Sequence, residues 1–418
     1  MNKLIQNILI SFVILAVLSY FSYEFIKSAR ADRSWPFNSN LGNYLPEFIK
    51  YYAYSITNPS EANISSNQGK LKLNYHTIPS TFATGRGGGI VALSKNKILV
   101  TLDNGEIFVF DQNTDTFFTN PFNFKNYYSG IRDTFINEEL SEFLILATVD
   151  TEALCKNVKL DSFKYFQEGD TFKISNPETI WQSEEECEAP MSSASGGRIA
   201  FFQGNYLIST GYFSEVRIGV FESGMHPYPQ SEKSSFGKVI KIDRSKNNEP
   251  SIFSLGHRTP QGLFVSNDDK ELFLTEHGPK GGDELNLIIE GKNYGWPCTT
   301  EGNMYGFPDL YPKRWPEELE ILGCSDQDFM KPLFAAKESI GISQGLQYKG
   351  KYFQEYDNAL IIGSLKATSI FVVSIQDKRL ENVERIEIGE RIRDILQTQD
   401  GRIAIYTDGG SLVIVSKE

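Results

Sequence analysis

One pattern of short strands recurs through most of the chain, and this repeat restricts the possible folds more than any other feature. In each copy a small residue leads into an apolar strand, a polar turn, and a second and often a third apolar strand. The copies start at Gly89, Gly130, Gly197, Gly262, Gly345 and Arg393. A four-stranded propeller blade takes about 40–50 residues. The shortest interval between the starts of two successive copies fits one blade, and the longer intervals imply loop insertions. The repeat therefore predicts an all-β fold, a six-bladed β-propeller.

Such a propeller is one cooperative domain, although 418 residues would otherwise suggest two or three. Each sheet has two apolar faces that only the neighbouring blades can cover. Aromatic residues reach 13% and helical patterns are scarce after the amino terminus, which also favours β-structure. The alternative, a pair of β-sandwiches, does not explain the glycine that recurs at the start of the copies.

The amino terminus is predicted to contain a transmembrane or signal helix. Leu4–Tyr23 carries no charge, and about 20 apolar residues span a bilayer as a helix. We favour a retained signal anchor over the alternative, an export signal that is cleaved near residues 29–31. The predicted organisation is an anchor or signal peptide over residues 1–30, a polar stalk over 31–69 and the propeller over 70–418.

The four cysteines indicate an oxidising compartment. Their spacing predicts two local disulfides, Cys155 with Cys187 and Cys298 with Cys324. A metal site is disfavoured, because the sequence contains no Cys-x-x-Cys motif and no nearby Cys/His cluster. The alternative is four unrelated buried thiols. Together with the membrane segment, the disulfides predict a membrane-anchored protein with an exported, periplasmic or otherwise extracytoplasmic body, which is secreted if the signal is cleaved. Basic residues after the span slightly oppose this orientation.

The charge balance excludes one class of partner. Acidic residues outnumber basic ones by 53 to 41, the formal net charge is −12, and no lysine-rich tract interrupts this excess. Nucleic-acid binding needs a basic surface. The sequence therefore predicts no nucleic-acid partner.

Four motifs follow one another in the second half of the chain. They are GHRTPQG at 256–262, EHGP at 276–279, GGDE at 281–284 and NYGWP at 293–297. With these motifs the chain resembles the soluble pyrroloquinoline-quinone (PQQ) sugar dehydrogenases, the glucose/sorbosone dehydrogenase family of six-bladed propellers. The resemblance continues through SLK at 364–366 and RIRD at 391–394, and it covers the chain apart from the predicted anchor and stalk.

The resemblance implies a PQQ site. The arginine of the GHR motif, the lysine of SLK and both arginines of RIR hold the cofactor in the family, and they match Arg258, Lys366, Arg391 and Arg393. Thr259 stands where the family has an asparagine beside the cofactor. PQQ is a flat tricarboxylate, so several fixed cations suit it. The alternative is that each cation pairs with a local carboxylate such as Asp283 or Asp394.

The resemblance also implies two calcium ions. One lies against the quinone in the family and is held by the backbone carbonyls that match Gly278 and Pro279. A second, structural ion uses a glutamate and a tyrosine that match Glu284 and Tyr294. Calcium prefers oxygen ligands, and a turn can aim successive carbonyls at one point. The alternative is that these glycine and proline residues only form turns.

The family's proton acceptor is missing. Family members have an Asp-His pair whose histidine takes the sugar's hydroxyl proton, and Ser193 and Ala194 stand at these positions. Neither side chain accepts a proton at neutral pH, so no catalytic residue is predicted. A substrate-contacting glutamine of the family is replaced by Tyr128, and a glycine-aspartate pair of the family reads Gly211-Tyr212.

The motif histidines are predicted to be structural. They are His257 and His277.

Because most cofactor positions are retained and most substrate positions are changed, the sequence favours PQQ binding and leaves turnover open. The first interpretation is an anchored PQQ- and calcium-dependent dehydrogenase for a small sugar or alcohol, with an unidentified base and an electron acceptor that no motif specifies. The alternative is a catalytically inactive ligand-binding propeller, with or without the PQQ pocket.

Overall fold

The computed structural model describes most of the chain after residue 60. The described residues are 61–66, 69–80, 87–120, 122–125, 127–150, 156–168, 171–183, 195–212, 228–303, 324, 328–376 and 379–418. Leu4–Tyr23 and the predicted segment 1–30 lie outside them. Within these ranges, no helix combines the length and the apolar character needed to cross a membrane. The anchor, the stalk and their boundaries stay predictions.

The strands form six sheets, and each sheet is one blade of a β-propeller. The chain begins with β1 (Glu61–Ser66) and β2 (Gly69–Thr77). Blade 1 contains β3 (Gly88–Leu93), β4 (Lys97–Leu102), β5 (Ile107–Asp111) and β6 (Thr116–Thr119). Blade 2 contains β7 (Gly130–Asn137), β8 (Glu142–Asp150), β9 (Lys156–Glu168), β10 (Thr171–Ile174) and β11 (Glu178–Gln182). Blade 3 contains β12 (Ile199–Phe202), β13 (Asn205–Ser209), β14 (Lys238–Asp243) and β15 (Glu249–Leu255).

The second half of the chain completes the ring. Blade 4 contains β16 (Pro260–Val265), β17 (Leu272–Glu276) and β18 (Asp283–Ile288), then β19 (Lys292–Asn293) pairs with β15 of blade 3, and β20 (Phe334–Ala336) completes blade 4. Blade 5 contains β21 (Ile342–Gln347), β22 (Leu360–Ser364), β23 (Ser369–Gln376) and β24 (Arg379–Glu387). Blade 6 contains β25 (Ile392–Gln397), β26 (Ile403–Thr407) and β27 (Ser411–Lys417). Short 3-10 helices occupy Tyr228–Gln230, Arg244–Lys246 and Gln354–Tyr356. The predicted six-bladed all-β fold is confirmed.

The amino-terminal strand closes the ring. In blade 6, β2 pairs antiparallel with β27, so the sheet order is β1-β2-β27-β26-β25. Leu71 and Leu73 of β2 are buried with residues of blade 5. β1 itself lies within the segment predicted as the stalk.

The hydrophobic cores lie between neighbouring blades, as the repeat predicts. Ile98 and Val100 of β4 are buried against blade 6, whereas Leu99 between them is buried against blade 2. Successive side chains of a strand point to opposite faces. An uninterrupted apolar strand such as β4 therefore needs a blade on each side, which is the reason that the ring forms one unit.

An ionic cluster ties the first strands of the blades together at the propeller axis. Asp133 of β7 accepts the backbone N–H of Ile199 at 2.8 Å, and Asp394 of β25 accepts that of Ile90 at 2.9 Å. Both aspartates follow a β-bulge, after Ile131 and after Ile392. The Nη1 atom of Arg198 lies between them, 3.0 Å from Asp133 Oδ1 and 3.5 Å from Asp394 Oδ1. We call these three residues the axial cluster.

The predicted disulfide between Cys298 and Cys324 is confirmed, whereas Cys155 and Cys187 lie outside the described residues. Replacing both Cys298 and Cys324 with serine is expected to lower the free energy of unfolding by about 3 kcal/mol, because the bond closes a loop of 26 residues. Denaturant unfolding of oxidised protein measures this loss.

Non-reducing peptide mapping is expected to show Cys155 joined to Cys187, and free thiols or crossed pairs there would contradict that second bond.

Candidate functional site

The residues of the matching motifs converge at one end of the propeller axis. Strands β3, β7, β12, β16, β21 and β25 contact one another around this axis, and we call the end at which they begin the mouth. Arg258 lies two residues before β16, while Arg391 and Arg393 stand at the start of β25. Lys366 follows β22, which runs antiparallel to β21, so it returns to the same end. The topology thus brings all four predicted cofactor cations to one face.

Arg258 is held by its backbone and by its guanidinium group. Its backbone N–H donates to Glu276 Oε2 at 2.6 Å, and its Nη1 donates to the carbonyls of His277 and Gly278, each at 3.0 Å. The guanidinium carbon lies 5.3 Å from the ring centre of Tyr212 and 5.1 Å from that of Trp296. These distances are within the range of cation–π attraction. Arg258 is therefore a fixed cation at the mouth.

The two arginines of the RIRD motif share one carboxylate. Arg393 forms a bidentate pair with Asp408 at 2.8 and 2.9 Å, and Arg391 reaches the same group at 3.2 Å. Burial raises the pKa of Asp408, but the charges of Arg393 and Arg391 bring it below its usual value. The arginine side chains differ in exposure, 8% for Arg393 and 42% for Arg391. Both arginines are thus paired locally with the Asp408 carboxylate, whereas Asp394 belongs to the axial cluster. Of the two arginines, Arg391 is the one that faces solvent.

Lys366 is exposed and its backbone is anchored beside a glycine. The backbone N–H of Lys366 donates to Ile340 at 2.9 Å. A Cβ on Gly341, whose φ is +64°, would lie 2.8 Å from the Lys366 nitrogen, so only glycine fits there. Asp283 fixes this loop by accepting the N–H of Gly341 at 2.6 Å, and it also accepts that of Gly278 at 3.1 Å. Asp283 therefore organises both loops and pairs with none of the predicted cofactor cations among the described residues.

The two motif histidines lie in different environments. His257 is buried between Ser254 Oγ at 2.8 Å and Glu276 Oε1 at 3.1 Å, as expected for a structural residue. Burial lowers the pKa of His277, with Arg258 and Arg393 adding to the decrease, so its ring is neutral at pH 7. The Nε2 atom of His277 is buried and has no hydrogen-bond partner within the described ranges.

Glu284 lies among other carboxylates. Burial raises its pKa to about 8, and the charges of Glu276 and Glu301 add to the increase. Its Oε2 accepts from Asn286 at 3.0 Å. The Tyr294 hydroxyl is turned away to the backbone, donating to Leu287 O at 2.6 Å. In the described part of the chain no group of three or more His, Cys, Asp and Glu side chains is arranged as a metal site.

The positions at which the chain differs from the family have new contacts. Tyr128 donates its hydroxyl to Asp161 at 2.7 Å and packs into the core between blades 1 and 2. Tyr212 is buried beside Arg258 and donates its N–H to the Arg258 carbonyl at 2.8 Å. Ser193 and Ala194 lie outside the described residues. The side chain of Thr259, at the asparagine position, is buried.

Sequence reasoning missed Asp408 and the contacts that Tyr212 and Trp296 make at the mouth. Asp408 is the carboxylate of Arg391 and Arg393, and Tyr212 and Trp296 pack on Arg258. Trp296 could have been found from its place in the NYGWP motif. Nothing local distinguishes Asp408 or identifies the aromatic contact of Tyr212, because both depend on strand pairing and loop packing.

The mouth fits a planar polycarboxylate but does not fit calcium at every predicted position. The Nε of Arg258 and the Nε2 of His277 are buried without a partner in the described residues, as expected where a polar group is bound. Arg391 and Lys366 add accessible cations. The Gly278 carbonyl, in contrast, already accepts from the Arg258 guanidinium, so this arrangement does not fit a calcium ion on the same oxygen. Around Glu284 the described residues likewise contain no group of three His, Cys, Asp or Glu side chains arranged as a metal site.

Comparison with known proteins is consistent with this geometry. The Glucose / Sorbosone dehydrogenase family model matches residues 86–415. The aldose sugar dehydrogenase YliI of Escherichia coli K12 is 32% identical over 239 residues, which cover 53% of this chain and 59% of that protein. Quinoprotein glucose dehydrogenase B of Acinetobacter calcoaceticus is 45% identical over 220 residues, 41% of this chain and 46% of that protein. The chain thus spans about half the length of the curated relatives that it matches.

Solved structures share the fold over more of the chain. The apo form of the soluble aldose sugar dehydrogenase from Escherichia coli superposes with a TM-score of 0.67 at 22% identity, covering 83% of this chain and 100% of that one. The PQQ-bound aldose sugar dehydrogenase of Streptomyces coelicolor superposes with a TM-score of 0.58 at 17% identity, covering 84% of this chain and 99% of that one. At these identities the likeness establishes the propeller fold.

Proposed function

The chain belongs to the glucose/sorbosone dehydrogenase family, and from this membership we propose that it binds PQQ at the mouth and oxidises a small sugar or another alcohol. The observation that carries the proposal is the convergence of Arg258, Arg391 and Lys366 on one face, beside buried nitrogen atoms that have no partner among the described residues. Charge-assisted contacts to carboxylates are worth about 1.5–3 kcal/mol each. Three such contacts would bind PQQ in the millimolar to submicromolar range.

The residues of the mouth have separate roles in this proposal. Arg391 and Lys366 would bind carboxylates of PQQ, and Arg258 would face the quinone edge. Beside Arg258, the Nε2 atom of neutral His277 would offer a hydrogen-bond acceptor. Arg393 is a positioning residue, because its guanidinium is taken by Asp408. When bound, PQQ would supply a hydride acceptor for the alcohol carbon. The hydroxyl proton needs an acceptor, and the position that supplies one in the family is Ala194.

Calcium is proposed at Glu284. Burial, together with the charges of Glu276 and Glu301, raises the pKa of Glu284, and a divalent cation bound there would favour its ionised form. The Tyr294 hydroxyl is bonded to the backbone, so it is not a ligand in this arrangement. No step of the reaction is assigned to calcium.

Membrane attachment and export also remain proposals. They are supported by the apolar run Leu4–Tyr23 and by the disulfide of Cys298 with Cys324. On this basis the protein would be anchored by its amino-terminal helix, with the propeller in an extracytoplasmic compartment.

Calorimetric titration of the full-length protein with PQQ tests the proposal. We expect one PQQ per chain, with a shift of the quinone absorbance on binding. No binding, with or without calcium, would contradict the proposed function and favour a propeller that binds some other ligand.

Turnover is measured on the same protein in a separate assay, with a panel of aldoses and alcohols and an artificial electron acceptor. We expect slow oxidation, because loss of a general base costs on the order of 10²–10⁴-fold. Ala194→His is expected to raise aldose oxidation at least tenfold and to leave PQQ affinity unchanged. PQQ binding without any turnover in either protein would support the inactive ligand-binding alternative.

A further inference from the structure

The guanidinium group of Arg258 lies against the backbone oxygen at which the family holds its quinone-side calcium. One nitrogen, Nη1, donates to both the His277 and the Gly278 carbonyls at 3.0 Å. Calcium binds oxygen at 2.3–2.6 Å. An ion on the Gly278 carbonyl would therefore lie close to this guanidinium, and the two cations would repel each other.

Aromatic packing keeps the guanidinium in this place. Its central carbon is 5.3 Å from the Tyr212 ring centre and 5.1 Å from the Trp296 ring centre, and the two rings meet edge to face at 5.6 Å. Backbone bonds fix the stem as well, since Arg258 donates its N–H to Glu276 and its carbonyl accepts from Tyr212. Moving the guanidinium aside for calcium would break the two carbonyl bonds and both ring contacts.

The remaining edge of the guanidinium suits an anionic or quinone oxygen. The Nε atom of Arg258 is buried and meets no acceptor among the residues described. Nε–H and Nη2–H form a planar fork, the geometry that binds a carboxylate or two neighbouring oxygens. Arg258 therefore presents a fixed positive charge and two directed donors, the electrostatic task that a metal ion would otherwise perform.

We propose that Arg258, held by Tyr212 and Trp296, takes the place of the quinone-side calcium ion, so that the chain binds PQQ without calcium at Gly278 and Pro279. This inference rests on the proposed function, which it deepens by excluding one metal from the site. The position that carries an aspartate in the family carries Tyr212, and the exchange replaces an acid by a ring that packs on Arg258.

Titration of PQQ in calcium and in excess chelator tests the inference. The protein used is full-length Glu284→Gln, so that the other proposed calcium position does not contribute. We expect PQQ dissociation constants that agree within twofold in the two buffers. Binding at least tenfold weaker in chelator would overturn the inference and leave the proposed function standing.

Two arginine variants supply a matched comparison. In Arg258→Met the Gly278 carbonyl is no longer covered by a fixed cation, so PQQ binding is expected to become at least tenfold tighter in calcium than in chelator. Arg391→Met removes the same charge elsewhere at the mouth and is expected to weaken PQQ binding equally in both buffers. An Arg258→Met protein that is indifferent to calcium would contradict the inference.

A measurement without PQQ separates this inference from the proposed function. Calorimetric titration of Glu284→Gln with calcium alone is expected to show no uptake up to millimolar concentration, because Arg258 covers the Gly278 carbonyl. Uptake with a submillimolar dissociation constant would overturn the inference, even in a protein that fails to bind PQQ.

Discussion

Replacing Arg198 with methionine is expected to lower the free energy of unfolding by about 3–5 kcal/mol, the usual cost of removing one partner from a buried ion pair. The Arg198 side chain is 3% exposed and lies between Asp133 and Asp394. It also donates Nε to the carbonyl of Gln261 and Nη2 to that of Arg393, each at 2.7 Å. The substitution leaves two buried carboxylates facing each other and frees two carbonyls. Urea unfolding of the full-length protein measures the loss.

A partly exposed arginine outside the axial cluster provides the matched control. Arg402 pairs with Asp400 at 2.8 Å and is 20% exposed. Arg402→Met is expected to cost at most about 1 kcal/mol, as for surface ion pairs. Equal losses in the two variants would show that the axial cluster has no special role in holding the blades together.

The pH dependence of stability follows from the same cluster. Burial and the neighbouring Asp394 raise the pKa of Asp133 to about 7, although Arg198 opposes the increase. The unfolded chain releases this proton near pH 4, so between about pH 4 and 7 the native state binds more protons than the unfolded state. The contribution of Asp133 is therefore complete below pH 4 and is lost as the pH rises through 7. Unfolding at pH 5 and pH 8 should show this decrease, and Asp133→Asn should flatten it.

Removal of Arg258 and Arg391 together is expected to weaken PQQ binding by roughly 10²–10⁴-fold, since each charge-assisted contact is worth about 1.5–3 kcal/mol. Both guanidinium groups are at the mouth, and neither forms the bidentate carboxylate pair that occupies Arg393. Methionine retains much of the side-chain length without the charge. Quinone absorbance titration in chelator measures the change.

The control for this prediction is Arg385→Met, which removes one positive charge from an exposed site on β24. Arg385 contacts Ser369 Oγ at 2.9 Å and the Ala367 carbonyl at 3.0 Å. Its loss is expected to change PQQ affinity less than twofold. Arg393→Met is unsuitable as a binding test because it would leave Asp408 buried without its bidentate partner. A double variant that binds PQQ as tightly as the unmodified protein would show that PQQ does not contact these arginines.

The number of blades could be predicted from the sequence because it is written in local patterns. Apolar alternation along strands such as β4, and glycines such as Gly89 and Gly130, mark each blade within some tens of residues. Cys298 and Cys324 are close enough in the chain for their pairing to be inferred, and the bond is present. The resemblance placed Arg258, Lys366, Arg391 and Arg393 at one site, and the topology does bring them to one end of the axis.

The partners of these residues were decided only by the tertiary structure. Arg393 pairs with Asp408 because β25 and β26 are antiparallel, with Ile392 opposite Thr407. Asp394 binds the N–H of Ile90, 304 positions away in the chain.

The closure of the ring and the packing of Arg258 have the same origin. β2 joins β27 across nearly the whole described chain, and the Tyr212 ring meets Arg258 from the separate segment that follows β13. Periodicity and turn chemistry act between neighbours in sequence and can be read from it. A buried charge instead takes whichever partner folding brings within about 3 Å, since burying it unpaired costs several kcal/mol, and that partner is set by strand register and blade contacts.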